Sequence, residues 1–251
     1  MFDRVGRWLG QYLERDRARV QPFIAQDHEA LAATIRPGDV LLIEGRAKIS
    51  TAIKYLTQST WSHATMCVSA ATRDAPPMLV EVTLEDGCHR VPVSKYAPFN
   101  TRLCRAASLS DEEREDLARF MLSAIGMRYD LRNVFDLARY LFPTPPVPVR
   151  WRRHLLEFGS GDPTRAICSS LIAQAFEAVR YPILPEIRMV RVPESPRHEI
   201  PVWVRRHPSL VVPRDFDLSP YFAVIKPTIQ RGFDHHRIPW QTVAKPGEIV
   251  G

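Results

Sequence analysis

Glycine, lysine and cysteine are all scarce in this 251-residue sequence. The 11 glycines fall well under the ~7% of average usage. They form no Gly-rich phosphate loop, which excludes the familiar nucleotide-binding signatures. Only five lysines stand beside 29 arginines. Four cysteines without a C-x-x-C pair exclude a disulfide scaffold and a zinc ribbon. There is no G-x-S-x-G and no H-E-x-x-H, so neither a serine-hydrolase elbow nor a zincin helix is indicated. Long apolar runs are missing too. The longest stretch free of Asp, Glu, Lys and Arg, Tyr55 to Thr72, is rich in Ser, Thr and Gln and reads as no membrane span. No apolar segment precedes Glu14 and Asp16, so a signal peptide is not expected. The expected setting is reduced and cytoplasmic.

What is present is ordinary globular material with two biases. Hydrophobic residues make up 45% and charged residues 25%. Proline is abundant at 22, and the net charge is +6 with a pI near 9.3. The arginines are scattered rather than gathered in a stripe, so no nucleic-acid partner is indicated. Residues 1–20 read as a basic amphipathic helix, with Phe2, Val5, Trp8, Leu9, Tyr12 and Leu13 at helical spacing. Such a helix either packs on the domain or a second subunit, or lies peripherally on an anionic membrane.

Further on, Arg36-Pro37-Gly38-Asp39 is a turn signal before a short strand, Val40 to Ile43. Ser50 to Leu56 reads as helical. Trp61 to Val68 alternates as a strand, with Ala64, Met66 and Val68 apolar. A second alternating strand carries Val80, Val82 and Leu84 against Glu81, Thr83 and Glu85. Asp86-Gly87 turns it into Cys88-His89-Arg90-Val91, and Thr101 to Arg105 reads as another strand. Ser110 and Glu113 make a capping box for a helix ending near Gly126. Leu131 to Phe142 reads as a helix stopped by the proline run 143–148, and a basic aromatic cluster follows at 150–154. Ile167 to Arg180 is the clearest helix, and Tyr221 to Ile225 a late strand. The order implies one α+β domain over 36–226, with residues 1–35 as helix and linker, an insertion at 143–154, and a loosely held tail at 227–251.

One constellation carries chemistry. Cys168 opens the clearest helix, where the macrodipole favours a thiolate. His63 and Glu81 sit on the polar sides of successive strands and become neighbours if those strands pair. Cysteine, a proton-accepting imidazole and an orienting carboxylate together make a nucleophile of the thiol, with the Cys168 N–H as an oxyanion donor. Read singly, each has a plainer meaning. Cys168 lies on the helix's apolar stripe, His63 serves as a structural histidine, and Glu81 as a solvent-facing strand residue. Asp162-Pro163 also offers an earlier helix start, which would place Cys168 inside the helix. Cys67, Cys88, His89 and Cys104 match no zinc spacing, and His235-His236 lack carboxylate support. A second reading is a non-enzymatic module that binds an anionic membrane or a partner through residues 1–20.

Taken in order, the segments Pro37 to Leu42, Trp61-Ser62-His63-Ala64, Val80-Glu81-Val82, Ile167-Cys168-Ser169-Ser170-Leu171-Ile172 and Pro213 to Phe222 resemble the permuted papain-like amidases. These are the YiiX-like branch of the circularly permuted NlpC-type superfamily, related to lecithin:retinol acyltransferase. The resemblance spans residues 36–226. It implies a permuted papain-like α+β fold, an antiparallel sheet packed on helices with the nucleophile at a helix N-terminus. It implies Cys168 as nucleophile, His63 as base and Glu81 as orienter, with Trp61, Tyr129 and Ser169 near the substrate. The implied activity is hydrolysis or transfer of an amide or ester acyl group, from a peptide or a lipid, through a thioacyl enzyme. It requires no metal or cofactor. Oligomeric state is not readable from the sequence.

Overall fold

The computed structural model describes residues 27–83, 85–127, 167–192, 195–237, 242–245 and 248–250. The expected helices at 1–20 and 131–142, Tyr129, the proline run, the 150–154 cluster and Asp162-Pro163 lie outside the described residues.

Helix α1 (His28–Thr34) leads through the Pro37-Gly38 turn into β1 (Val40–Ile43). Then come α2 (Lys48–Thr57), β2 (His63–Ser69), β3 (Met78–Thr83), β4 (Gly87–Pro92), a 3₁₀ turn (Val93–Tyr96) and β5 (Thr101–Ala106). Helices α3 (Asp111–Ser123) and α4 (Ile167–Ala178) follow, then β6 (Glu186–Val192) and β7 (Ser195–Val204). A 3₁₀ turn (Pro208–Leu210), α5 (Pro213–Leu218), β8 (Phe222–Ile225) and α6 (Pro227–Gln230) come next. The strands β9 (Thr242–Lys245) and β10 (Glu248–Val250) form a last hairpin.

Six strands make one antiparallel sheet in the order β4-β3-β2-β1-β5-β8. Alternate residues feed two cores. Val40, Leu42, Ala64, Met66, Val80 and Val82 pack against α3, α4 and α5. Leu41, Ile43, Cys67, Leu79 and Leu103 pack under Leu31 and Ile35 of α1 and under Val93 and Tyr96. With both faces covered, β2 and β3 are buried almost throughout. This corrects the half-exposed reading of their polar positions: Thr65, Cys67 and Glu81 all sit inside.

Local rules account for the turns and ends. Gly38 has φ +81°, and a Cβ there would sit 3.3 Å from Leu117 Cδ1. Asp39 is fully buried, accepting from Arg105 Nε at 2.8 Å, Arg105 Nη2 at 2.6 Å and the Arg36 N–H at 2.9 Å. The Ser110/Glu113 capping box is formed in both directions. Phe176 of α4 meets Tyr181, Phe216 and Phe222 at ring distances of 5.1–6.2 Å, which locks α4 to α5 and β8.

Two segments depart from expectation. The proline-punctuated stretch after α4 holds a long two-stranded ribbon, β6–β7. The tail carries α6, a 3₁₀ turn and the β9–β10 hairpin rather than loose chain alone.

Candidate active site

Four hydrogen bonds converge on the start of β2. The Trp61 N–H donates to Ser59 Oγ at 3.0 Å, and the Trp61 indole N–H donates to Asp217 Oδ2 of α5 at 3.0 Å. The Ser62 N–H reaches the Ile43 carbonyl at 3.1 Å, while Ser62 Oγ accepts the Gly45 N–H at 3.0 Å. Gly45 is needed there because a Cβ would run into Ser50 Oγ. His63, the next residue, is thereby fixed as the first of its strand.

Helix α4 brings Cys168 to the same place. Ser169 Oγ, buried, donates to the Val211 carbonyl at 2.7 Å and holds this turn against the segment before α5. The Cys168 side chain is hydrogen-bonded to that of His63, and its sulfur accepts the backbone N–H groups of Ala64 and Ser169. The β2–β3 register runs from Met66↔Val80 to Ser69↔Met78, short of Ala64, which leaves the Ala64 N–H for the sulfur.

On the other side of the imidazole, His63 Nε2 lies 3.2 Å from Glu81 Oε2, leaving Nδ1 for the thiol. Continuing the β2–β3 register puts Glu81 opposite Thr65, so His63 meets it diagonally on the same face. The carboxylate is 1% exposed and crowded. His89 Nε2 stands 2.9 Å from Oε1, Lys95 Nζ donates to Oε1, and the Tyr96 hydroxyl donates to Oε2. A solvent-facing reading of Glu81 is therefore wrong: the strand's outer face is roofed by the 3₁₀ turn that carries Lys95 and Tyr96.

The electrostatics follow from this packing. Burial opposes charge on both Cys168 and His63, yet each charged form is stabilised by the other. Burial raises the Cys168 pKa, but the His63 charge and hydrogen bond, with the two backbone N–H groups, bring it below the ordinary thiol value. Burial lowers that of His63, but the Cys168 thiolate and Glu81 push it up to about 10. Burial likewise works against ionised Glu81, while His63, Lys95 and Tyr96 hold it down at about 2. The directions of these shifts favour a thiolate–imidazolium pair backed by an ionised carboxylate. The other three cysteines go the opposite way. Burial pushes Cys67 and Cys104 up to about 12 and raises Cys88.

Of the expected residues, Cys168, His63 and Glu81 are brought together. Trp61 and Ser169 turn their polar groups into the protein. The indole is buried, with its N–H on Asp217 and the Arg102 guanidinium 5.1 Å over its ring, and the Ser169 hydroxyl is spent on Val211. Tyr129 lies outside the described residues. His89, Lys95 and Tyr96 were missed. His89 was legible, since counting back through the Asp86-Gly87 turn pairs it with Glu81. Lys95 and Tyr96 arrive by a 3₁₀ turn that no pattern announced. At His235-His236 carboxylate support does exist: Asp234, His235 and His236 put their ligand atoms within 4.8 Å of one another on an exposed turn.

Comparison with known families now becomes informative. Residues 34–141 match the model of a family described as permuted papain-like amidase enzyme, YaeF/YiiX, C92 family. Over that segment the chain is similar to this family. The matched segment takes in His63, Glu81, His89, Lys95 and Tyr96 and ends before Cys168. A search of curated proteins finds no match. Similar solved structures include the crystal structure of metalloprotein yiiX from Escherichia coli O157:H7. It is 17% identical, with a TM-score of 0.46, covering 76% of this chain and 96% of that one. Among the described residues no helix is long and apolar enough to cross a membrane.

Proposed function

We propose that this protein is a cysteine-dependent amidase in which Cys168 is the nucleophile, His63 the general base and acid, and Glu81 the residue that orients His63. The observation that carries the reading is one unbroken chain of contacts, Cys168 to His63 to a buried, ionised Glu81. The family supplies the amide class of substrate.

The thiolate attacks the amide carbonyl carbon, and the negative charge moves to the carbonyl oxygen. His63, already an imidazolium, gives its proton to the leaving amine as the C–N bond breaks, and a thioester remains on Cys168. Water then enters; His63 takes its proton, the thioester opens, and the carboxylic acid leaves. Another nucleophile in place of water would make the same enzyme a transferase. Glu81 keeps the imidazole oriented and favours its charged form, while His89, Lys95 and Tyr96 are positioning residues that hold the carboxylate still and ionised.

The test is acyl-enzyme trapping. Incubation with a panel of acyl anilides and peptide amides, followed by intact-mass and peptide analysis, should show an acyl adduct on Cys168. That adduct should be absent from Cys168→Ala. Turnover that persists in Cys168→Ala refutes the assignment.

A further inference from the structure

Away from the site, the β6–β7 ribbon has a surface unlike the rest of the domain. Every residue of Glu186–Val190 and Glu199–Trp203 is exposed. The register places Ile187 opposite Trp203 and Met189 opposite Pro201 on one face, and Val190 opposite Ile200 and Arg188 opposite Val202 on the other. Ile187 is 62% exposed, and Met189 and Trp203 are each 58% exposed; Val190, Ile200 and Val202 are exposed as well. Water-exposed ribbons alternate polar and apolar faces, and a two-stranded hairpin with neither face covered is marginal in water. This one exposes apolar side chains on both faces, the second also carrying Glu186 and Arg188.

We propose that the ribbon is a wedge that seats the protein on an anionic lipid bilayer. The two-sided pattern selects this occupant. A protein partner covers one face of a ribbon, whereas lipid surrounds both. The seating is shallow, because open strand edges cannot enter hydrocarbon with their N–H groups unsatisfied. Pro201, within β7, offers no N–H to leave unpaired. Trp203 suits the headgroup level, where one side of the ring is apolar and the indole N–H stays wet. Glu186 pairs with Arg188 at 2.9 Å and tempers the ribbon's own charge. Electrostatic attraction therefore comes from the molecule's +6, with exposed Arg205 at the ribbon's base. The surface stands independently of the acyl chemistry.

The experiment is co-sedimentation of the full-length protein with vesicles of phosphatidylcholine alone and of phosphatidylcholine mixed with phosphatidylglycerol. Wild type should partition onto the anionic vesicles, more weakly as salt rises. The I187S/W203S variant should partition at least about tenfold less, because two exposed apolar anchors are lost. Both sites are exposed, so its circular dichroism and its Cys168 alkylation rate should match wild type. The proposal is overturned by wild type binding neither vesicle, or by a variant that binds as well as wild type. It is equally overturned if sedimentation velocity shows a wild-type dimer that the variant dissociates while vesicles bind neither, since the ribbon is then an interface between copies.

Discussion

Two buried carboxylates lie on the same sheet, and each has a cysteine nearby. Asp39, at the head of β1, is neutralised by Arg105 and accepts the Arg36 N–H, with Arg114 at 4.0 Å. Glu81, on β3, is contacted by His63, His89, Lys95 and the Tyr96 hydroxyl. Arginine does not give up its proton in a protein, so the first cluster is electrically inert. Histidine does, so the second can move a proton. The thiols report the difference. Cys67, close to Asp39 without an imidazole, is pushed up to about 12, while Cys168, beside His63, is pulled down. Burial is shared; what separates structure from chemistry is whether the neighbouring cation can let its proton go.

The largest expected effect breaks this contrast at the sulfur. Cys168→Ala should reduce amide turnover by at least ~10³-fold with little change in thermal stability. Cys67→Ala should keep turnover and lower stability by about 1–2 kcal/mol through the cavity it leaves. Paired kinetic and melting measurements would check both.

Next in size is the inert cluster. Asp39→Asn should destabilise the fold by about 3–5 kcal/mol, because Arg105, 12% exposed, is left without its carboxylate. Denaturant titration measures this, and the Cys168 alkylation rate of the folded fraction should not move.

Glu81→Gln sharpens the comparison from the other side. It should slow turnover about tenfold and change the acid limb of stability. Glu81 is held at about 2 in the folded protein, below its ordinary 4.5. Its contribution is therefore complete above about pH 4.5 and is lost as the pH falls toward 2. His63, raised from 6.5 to about 10, contributes fully below pH 6.5 and loses that contribution as the pH rises through 10. Melting temperature against pH should show the acid loss in wild type, and a flatter acid limb in Glu81→Gln.

The smallest effect belongs to neither cluster. Ser110→Ala removes the cap of α3 and should cost about 1 kcal/mol in a denaturant melt, with turnover unchanged.

Much of the sheet was legible because its signals are local. Val40 to Ile43 is apolar and bounded by a turn, Asp86-Gly87 marks its own hairpin, and Ser110/Glu113 marks its own helix start. The Cys168–His63–Glu81 grouping was legible because a helix start and two alternating strands expose residue types that only chemistry requires together. Burial of Glu81 was not legible, since its roof comes from Lys95 and Tyr96 on a 3₁₀ turn, where side-chain direction follows no two- or 3.6-residue period. The directions of Trp61 and Ser169 were not legible, because adjacency to a site in sequence does not fix where a side chain points; their polar groups turn toward α5 and the segment before it. The β6–β7 ribbon was hidden by Pro196 and Pro201 of β7, which count against strands in any central sheet but are tolerated where both edges are open.

The most direct measurement follows iodoacetamide alkylation of each cysteine against pH by peptide mass spectrometry, in wild type and in His63→Asn. An activated pair predicts that Cys168 reacts at least ~10²-fold faster than Cys67, Cys88 and Cys104 at neutral pH. Its rate should rise with an apparent pKa below the ordinary thiol range, and His63→Asn should abolish that advantage. A Cys168 that reacts no faster than Cys67 or Cys104, or one whose rate is indifferent to His63, would contradict the account.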